Sequence, residues 1–158
     1  MSRNALDTYD IKLLSALQQD DALSLQCLAK LVSLSVSQCS RRISRLKAQG
    51  YIQKQVTLLD PQAVGLNVEA FVTISLDNHT PDSATYFKEA ILRMPPVMEC
   101  HAITGSDGDY LLKVVAKNQQ SLSFFLMEEL MKTPGVSQIK TALALSAIKS
   151  TTALPLSL

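Results

Sequence analysis

The sequence predicts an α+β protein with a helical N-terminal region followed by a region of β-α-β-β-α-β order. Apolar residues recur at helical spacing up to residue 49, and the pattern then alternates as it does in strands. The charge also divides, because residues 1–66 carry 8 basic and 5 acidic side chains, whereas residues 67–158 carry 7 and 9. The N-terminal region therefore suits an anionic partner, and the C-terminal region does not.

Three helices are predicted before residue 50. Asp7 is placed as the N-cap of the first helix, whose apolar positions are Leu6, Ile11, Leu13, Leu14 and Leu17. The second begins after Ser24, and its inner face is expected to hold Leu25, Leu28, Ala29 and Val32. Residues 32–35 allow only a tight turn, after which the Ser35 hydroxyl can cap a third helix. That helix runs to about Gln49, is stopped by Gly50, and is expected to bury Val36, Cys39, Ile43 and Leu46.

The third helix carries the features of a DNA-reading element. The stretch from Ala22 to Leu59 contains no Asp or Glu, yet it carries Lys30, Arg41, Arg42, Arg45, Lys47 and Lys54. Arginine can bond a guanine edge in two places, and small polar side chains let a helix sit deep in the major groove. Arg42, Lys47 and Lys54 are expected to contact phosphates. The full candidate DNA-binding set is Ser35, Ser37, Gln38, Ser40, Arg41, Arg42, Ser44, Arg45, Lys47 and Lys54. The alternative is a three-helix core whose third helix is merely solvated.

After Gly50 the pattern becomes extended, either as two short strands or as one arm, with Lys54 where a wing would meet the DNA backbone. Asp60-Pro61 breaks this run, and residues 62–66 can form one helical turn. We therefore predict a winged helix-turn-helix domain over residues 1–53, a linker over 54–66 and a second domain over 67–158.

The second domain is predicted to be ferredoxin-like. The predicted strands are residues 68–76, 97–104, 110–116 and 136–144, with Val68, Ala70, Val72, Ile74 and Leu76 on one face of the first. Pro81 suits the entrance of a helix that carries Tyr86, Phe87, Ala90, Ile91 and Met94 and ends at Pro95-Pro96. A second helix, residues 121–131, carries Leu122, Phe125, Leu126 and Leu130.

Two helices cover only one face of a four-stranded sheet, so the other face needs a partner, and a homodimer is the simplest solution. The composition agrees, because 47% of the residues are hydrophobic and only 18% are charged.

No apolar run approaches the roughly 20 residues of a membrane span, and residues 1–4 show no signal peptide. Cys27 and Cys39 are placed on inner helix faces and Cys100 in a strand, a spacing that fits neither disulfides nor a zinc site. We therefore expect a cytoplasmic protein.

Several motifs together resemble the Lrp/AsnC (leucine-responsive, or feast/famine) family of transcriptional regulators over nearly the full length. Leu6-Asp7-X-X-Asp10-X-X-Leu13-Leu14 is similar to the family's first helix, and the segment from Leu28 to Ser37 resembles its helix-turn-helix signature. Arg42-Ile43-X-Arg45-Leu46 followed by Gly50-X-Ile52 resembles the recognition helix and its exit. The Gly105–Tyr110 turn, Pro134-Gly135-Val136 and Ile148-Lys149 resemble the ligand domain.

The resemblance implies a regulator that binds double-stranded DNA through residues 35–49 and responds to a small effector, usually an amino acid or a related metabolite. It also implies homodimers formed through the sheets, which assemble into octamers or similar rings and bind the effector in clefts where dimers meet. The effector-binding residues that it implies here are Gly105, Ser106, Asp107, Gly108, Asp109 and Tyr110, with Val136 and Ser137.

The implied effector site makes chemical sense. Backbone amides of a glycine-bearing turn can take an α-carboxylate, and the Asp109 carboxylate can take an α-ammonium. Alternatively, Gly105 and Gly108 only permit a tight hairpin, which is the interpretation we favour for Gly108. For Asp109 the alternative is a structural role, and we favour the ligand role. The chain departs from the family pattern at two points: Ser33 stands where Gly is usual in the turn, and the effector turn is one residue longer than the compact Gly-X-X-Asp-Tyr form.

An enzyme or a stand-alone metabolite-binding module without a DNA role is the rival class. His79 falls in a predicted loop, and Cys100 and His101 are neighbours on a strand, so their side chains face opposite sides. No catalytic set, metal site or cofactor motif emerges from these residues. The basic helix-turn-helix half argues against the stand-alone module.

Overall fold

The computed structural model describes residues 5–78, 80–105 and 108–156 and divides into two compact units. One unit combines the chain up to Leu58 with the segment from Lys149, and the other is Leu59–Ile148. This division differs from the sequence-based one, which left residues 149–158 with the C-terminal domain. A paired hydrogen bond joins the later segment to the N-terminal region: Gln18 Nε2 donates to the Leu154 carbonyl at 2.8 Å, and the Leu154 amide donates to Gln18 Oε1 at 2.9 Å.

The N-terminal unit contains three helices, α1 (Thr8–Gln19), α2 (Leu25–Val32) and α3 (Val36–Ala48). The N-caps predicted at Asp7 and Ser35 are confirmed, since their side-chain oxygens accept hydrogen bonds from free amides of the first turns. Ser24, after which the second helix was predicted to begin, caps α2 in the same way. Asp7 and Ser35 form reciprocal capping boxes with the residues three positions later, Asp10 and Gln38. Both boxes fix where α1 and α3 begin.

The core of this unit follows the predicted helical spacing. Its buried apolar residues are Leu13, Leu28, Ala29, Val32, Cys39 and Leu46, with Ile43 half-buried beside them. Three residues assigned to inner faces are instead exposed, namely Leu25, Cys27 and Val36. Each of the three lies in the first turn of its helix, where the facing helices do not reach, so these parts of the prediction were wrong.

An extended arm without regular strand structure follows α3, which decides between the two alternatives for this segment. Gly50 takes a φ of 73° and ends the helix, and the amides of Tyr51 and Ile52 bond back to the Leu46 carbonyl at 3.0 and 3.4 Å. A turn at residues 61–65 closes with a 2.8 Å hydrogen bond from the Leu66 amide to the Pro61 carbonyl.

The C-terminal unit has the predicted β-α-β-β-α-β order. Its elements are β1 (Val68–Leu76), α4 (Pro81–Ile91), β2 (Val97–Ala102), β3 (Tyr110–Ala116), α5 (Gln119–Phe124), which continues as a π-helical segment (Phe125–Leu130), and β4 (Val136–Leu143). The sheet has the order β2-β3-β1-β4 with antiparallel neighbours, so Val72 pairs with Leu112 on one side and Thr141 on the other. This is the ferredoxin-like arrangement.

Both helices pack on one face of this sheet. Their buried residues Phe87, Ile91, Leu122, Phe125, Leu126 and Leu130 meet the predicted inward set of β1 and its counterparts on β3. Tyr86, which the sequence analysis named among the residues of this helix, is 63% exposed, because it precedes the buried Phe87 and points away from the sheet.

The opposite face of the sheet is covered by neither helix. It carries Phe71, which is 41% exposed, and the half-buried Leu111 and Val115. An ion pair between Glu69 and Lys113 at 3.1 Å joins β1 to β3 beside them. This face combines apolar and charged groups in a flat array.

Candidate DNA-binding surface and effector site

The start of α3 uses part of the predicted DNA-binding set for its own structure. The Ser35 hydroxyl accepts from the Gln38 amide at 3.2 Å, and the Gln38 side-chain oxygen accepts from the Ser35 amide at 3.0 Å. The Ser35 and Ser37 hydroxyls lie 3.1 Å apart. Ser35 and Gln38 therefore define where the helix begins, and the Ser35 hydroxyl and the Gln38 side-chain oxygen are already engaged.

Further along α3, an exposed polar row remains open to solvent. Ser40, Arg41 and Ser44 are exposed, and Arg41 has no ion-pair partner within the described part of the chain. A guanidinium in this state keeps all five N–H donors for an external partner. Arg41 is thus the most available cation on the helix.

Two other arginines of α3 are bound to α1. Arg42 Nη1 donates to Asp7 Oδ2 at 2.7 Å and to Asp10 Oδ1 at 2.8 Å, and Arg45 Nη2 donates to Asp10 Oδ2. The Arg42 guanidinium also lies 5.5 Å from the centre of the Tyr9 ring, a cation–π distance. The sequence prediction missed this cluster, although matching spacings of three residues on both helices, 7 with 10 and 42 with 45, were a usable signal.

The ion pairs change the proton affinities of their members. Burial alone would raise the pKa of Asp7, but hydrogen bonds from the Asp10 amide and the Arg42 guanidinium outweigh it and hold the pKa of this carboxyl below its ordinary value. The same contacts with Asp7 and Asp10 raise the pKa of Arg42. Asp7 and Arg42 are therefore both charged in the neutral range.

The remaining predicted phosphate contacts lie at the end of α3 and on the arm. Lys47 Nζ donates to Gln55 Oε1 at 2.6 Å, and Gln55 in turn donates to Asp21. Gln55 thereby ties the arm to the helical core directly beside Lys54, which is exposed. The segment predicted as a wing is therefore an extended arm without strand pairing.

The predicted effector turn is only partly described, because Ser106 and Asp107 lie outside the described residues. Its second half is held against β1. Asp109 donates its amide to the Ile74 carbonyl at 2.7 Å, and its Oδ2 accepts from the Leu76 amide at 2.7 Å. One carboxylate oxygen of Asp109, the residue proposed to bind the effector's ammonium group, thus has a structural partner.

Gly108 is required for this close approach. Its φ is 155°, and a Cβ at this position would lie 2.5 Å from Thr73 Cγ2 and 2.8 Å from the Ile74 carbonyl oxygen. Gly105, with a φ of 139°, has open space around it. Gly108 therefore serves backbone packing, which agrees with the structural interpretation of that glycine.

The other predicted effector residues differ in how far they are exposed to solvent. Tyr110 is 8% exposed and packs on Phe87 with ring centres 4.5 Å apart. Burial raises the pKa of the Tyr110 hydroxyl, and the neighbouring Cys100 and Asp109 add to the shift. Val136 is half-buried, whereas the exposed Ser137 donates its hydroxyl to the Ser75 carbonyl at 3.0 Å. Of this group, Ser137 lies at the surface.

An open groove of about 290 Å³ lies between the π-helical segment and β4. Its walls include Leu126, Met127, Met131, Ser137, Ile139 and Thr141. Only Ser137 among them belongs to the predicted effector set. The groove was not predicted, because the π-helical segment was indistinguishable from an ordinary helix in the sequence.

Among the described residues, those of the rival enzymatic interpretation form no catalytic arrangement. His79 lies outside the described residues, and His101 Nε2 is 3.1 Å from the exposed Glu99 carboxylate. Desolvation raises the pKa of the Cys100 thiol, which disfavours the nucleophilic thiolate. Across the described ranges, no three His, Cys, Asp or Glu side chains form a group that could hold a metal ion. No helix in those ranges is long and apolar enough to cross a membrane.

Comparison with known proteins matches both units. Residues 6–53 match a winged helix-turn-helix DNA-binding model, and residues 69–154 match the Lrp/AsnC ligand binding domain. The chain is 40% identical over 151 residues to the Bkd operon transcriptional regulator of Pseudomonas aeruginosa, covering 96% of this chain and 98% of that protein. It is 35% identical over 144 residues to the leucine-responsive regulatory protein of Escherichia coli, covering 91% and 87%.

A solved structure agrees over nearly the whole length. The transcriptional regulator of Neisseria meningitidis in complex with L-Met superposes with a TM-score of 0.92 at 34% identity, covering 96% of this chain and 97% of that one. Family models and relatives thus cover the DNA-binding and the ligand-binding unit together. The chain belongs to the Lrp/AsnC family of transcriptional regulators.

Proposed function

We propose that this protein binds operator DNA by inserting α3 into the major groove, with residues 1–53 as the DNA-binding domain. The observation that carries this proposal is the acid-free segment 22–59, whose helix α3 exposes Arg41 in a row of serines. Arg41 and Arg45 are the proposed base readers, and Arg42, Lys47 and Lys54 the proposed phosphate contacts. Double-stranded DNA is therefore the proposed macromolecular partner.

A binding experiment tests this proposal. Duplexes enriched from a random pool by the wild-type protein supply the specific probe, and poly(dI-dC) supplies the non-specific one. Arg41→Ala is expected to weaken specific binding by about 1–3 kcal/mol if Arg41 contacts a base, with a smaller effect on poly(dI-dC). Lys88→Ala, an exposed cation of α4 in the other unit, is the matched control and leaves both affinities unchanged.

Two outcomes contradict the proposal. One is that the wild-type protein enriches no sequence from the pool. The other is that Arg41→Ala and Lys88→Ala behave alike on the enriched duplex. A separate titration of salt concentration is expected to give a steep loss of affinity, since each phosphate contact releases a counterion.

We further infer that residues 67–158 bind an amino acid or a related small metabolite that controls assembly or DNA affinity. Support comes from the match to a ligand-binding family domain and from the L-Met complex of the Neisseria relative. The proposed site is the turn from Gly105 to Tyr110 together with Val136 and Ser137. Within it, the turn amides receive the carboxylate, Asp109 receives the ammonium, and Tyr110 acts from the core by supporting the strand.

We also propose that the chain works in the cytoplasm as a homodimer formed through the open sheet face, with dimers assembling into an octamer. The exposed Phe71 with Leu111 and Val115 supports this choice of face. Catalysis has no place in this proposal, which agrees with a family of transcription regulators.

A further inference from the structure

Asp10 is a carboxylate of α1 that is almost completely buried, with 1% of its surface exposed. Its Oδ1 accepts from Arg42 Nη1 at 2.8 Å, and its Oδ2 accepts from Arg45 Nη2 and, at 3.3 Å, from the Asp7 amide. A carboxylate this deep needs charge compensation, since an unpaired buried charge is strongly unfavourable. Both of its oxygens are directed to the helix proposed to read DNA.

The two arginines differ in what the contact does for them. Arg42 is 22% exposed at the side chain and has a second carboxylate, Asp7, at 2.7 Å. Arg45 is 41% exposed, and Asp10 is the acidic group to which it is paired within the described residues. Arg42 is shared between Asp7 and Asp10, and Arg45 supplies the second positive charge for these two carboxylates. The contact with Asp10 also restrains the Arg45 side chain.

The restraint leaves Arg45 able to bind. A guanidinium has five N–H donors in one plane, and Asp10 receives a bond from Nη2 only. The exposed part of the group therefore keeps donors for a guanine edge or a phosphate. Arg41, one turn earlier on the same helix, lacks any such restraint among the described residues, which makes the pair an internal comparison.

We propose that Asp10 is a positioning residue for DNA recognition, whose buried carboxylate holds the Arg45 guanidinium in its binding orientation before DNA arrives. The inference rests on the proposed function of α3. An arginine ordered in the free protein loses less side-chain freedom on binding, which gives an expected gain of roughly two- to tenfold in affinity. The gain applies to specific binding, because only base contacts require one orientation.

A thermodynamic cycle tests this role. The variants are D10N, R45A and D10N/R45A, with R41A and D10N/R41A as the matched pair. The probes are the duplex enriched by the wild-type protein and poly(dI-dC). D10N is expected to weaken binding to the enriched duplex by roughly two- to tenfold and to leave binding to poly(dI-dC) unchanged or stronger, since it removes one negative charge near the DNA.

Adding D10N to the R45A and R41A variants then shows through which arginine Asp10 acts. In R45A, adding D10N is expected to have no further effect, because the residue through which Asp10 acts is gone. In R41A, adding D10N is expected to cause the same fold-loss as in the wild type. A merely structural Asp10 would give equal losses in both backgrounds and on both probes, and that result would overturn the proposal.

Two further outcomes are equally decisive. If D10N binds the enriched duplex more tightly, the ion pair withholds Arg45 from DNA and the proposal has the wrong sign. If the wild-type protein enriches no sequence, the proposed function fails, which is distinct from failure of the positioning role. D10N is expected to fold because Asp7 still pairs with Arg42; should circular dichroism show otherwise, D10E replaces it. D10E keeps the charge but displaces the guanidinium, so the same pattern is expected.

Discussion

Ser33 is the single residue other than glycine that takes a positive φ within the described ranges, at 57°. It follows α2 directly, and the next amide, that of Leu34, bonds back to the Ala29 carbonyl at 3.0 Å. Glycine is the usual residue at such a helix end, because it has no Cβ to clash in the left-handed conformation. The resemblance to the family pointed to this position, and the structure confirms the strained backbone.

Replacing Ser33 with Gly is expected to raise the free energy of unfolding by about 1 kcal/mol, because the left-handed conformation no longer costs energy. The greater conformational entropy of glycine in the unfolded chain reduces this gain. Ser33→Ala keeps a Cβ and is the matched control, expected to give no gain. Urea unfolding of the full-length variants at one fixed protein concentration measures the difference. Equal midpoints for the Gly and Ala variants would show that the left-handed conformation costs nothing here.

At the scale of elements, the turn between β2 and β3 is built against β1 and is not a free hairpin. The Asp109 backbone and side chain bond to Ile74 and Leu76, and Gly108 packs where no Cβ fits. The second half of the turn is thereby held in place, which an effector site needs if its geometry is to precede the ligand.

Removing the charge of Asp109 separates its structural role from its proposed role as the ligand of an effector ammonium. Asp109→Asn keeps an oxygen for the Leu76 amide and removes the negative charge, so it is expected to weaken amino-acid binding about tenfold. DNA affinity without the amino acid is expected to stay nearly unchanged. A thermal-shift screen of all twenty amino acids first identifies the one that most raises the melting temperature. Calorimetry with that amino acid measures the ligand affinity, and a gel shift without it measures the DNA affinity.

Glu89→Gln, an exposed acid of α4, is the matched control and is expected to change neither quantity. A purely structural Asp109 would instead lower the melting temperature and both affinities together. Unchanged amino-acid affinity would move the effector towards the groove that Ser137 shares with Met127 and Met131.

At the scale of the whole molecule, the open sheet face predicts self-association. Sedimentation at micromolar concentration is expected to show a dimer or a multiple of dimers, and no stable species near the chain mass of 17.3 kDa. Phe71→Asp places a charge on the open face and is expected to lower the average mass. Tyr86→Asp, on the exposed side of α4, is the control and is expected to leave at least a dimer. A monomeric wild-type protein would refute the proposal that the open sheet face forms the dimer.

The sequence by itself determined the elements of this protein and most of its core. The N-caps Asp7 and Ser35, the start of α2 after Ser24 and the inward residues of β1 were predicted. Capping and periodicity depend on neighbours within about four residues, so a sequence alone reveals them. The same reasoning misplaced Leu25 and Val36, which are exposed. Periodicity assigns a residue to a helix face, but it does not show how far the facing helix extends.

Only the tertiary structure decided which polar groups work together. Asp10 meets Arg42 and Arg45 across 32 and 35 residues, and the Asp109 carboxylate meets the Leu76 amide across 33. Gln18 meets the Leu154 backbone across 136 residues and so joins the chain's end to its first helix. Such pairs depend on how helices and strands pack in space, and hydrophobic periodicity carries no information about which polar group will find which partner.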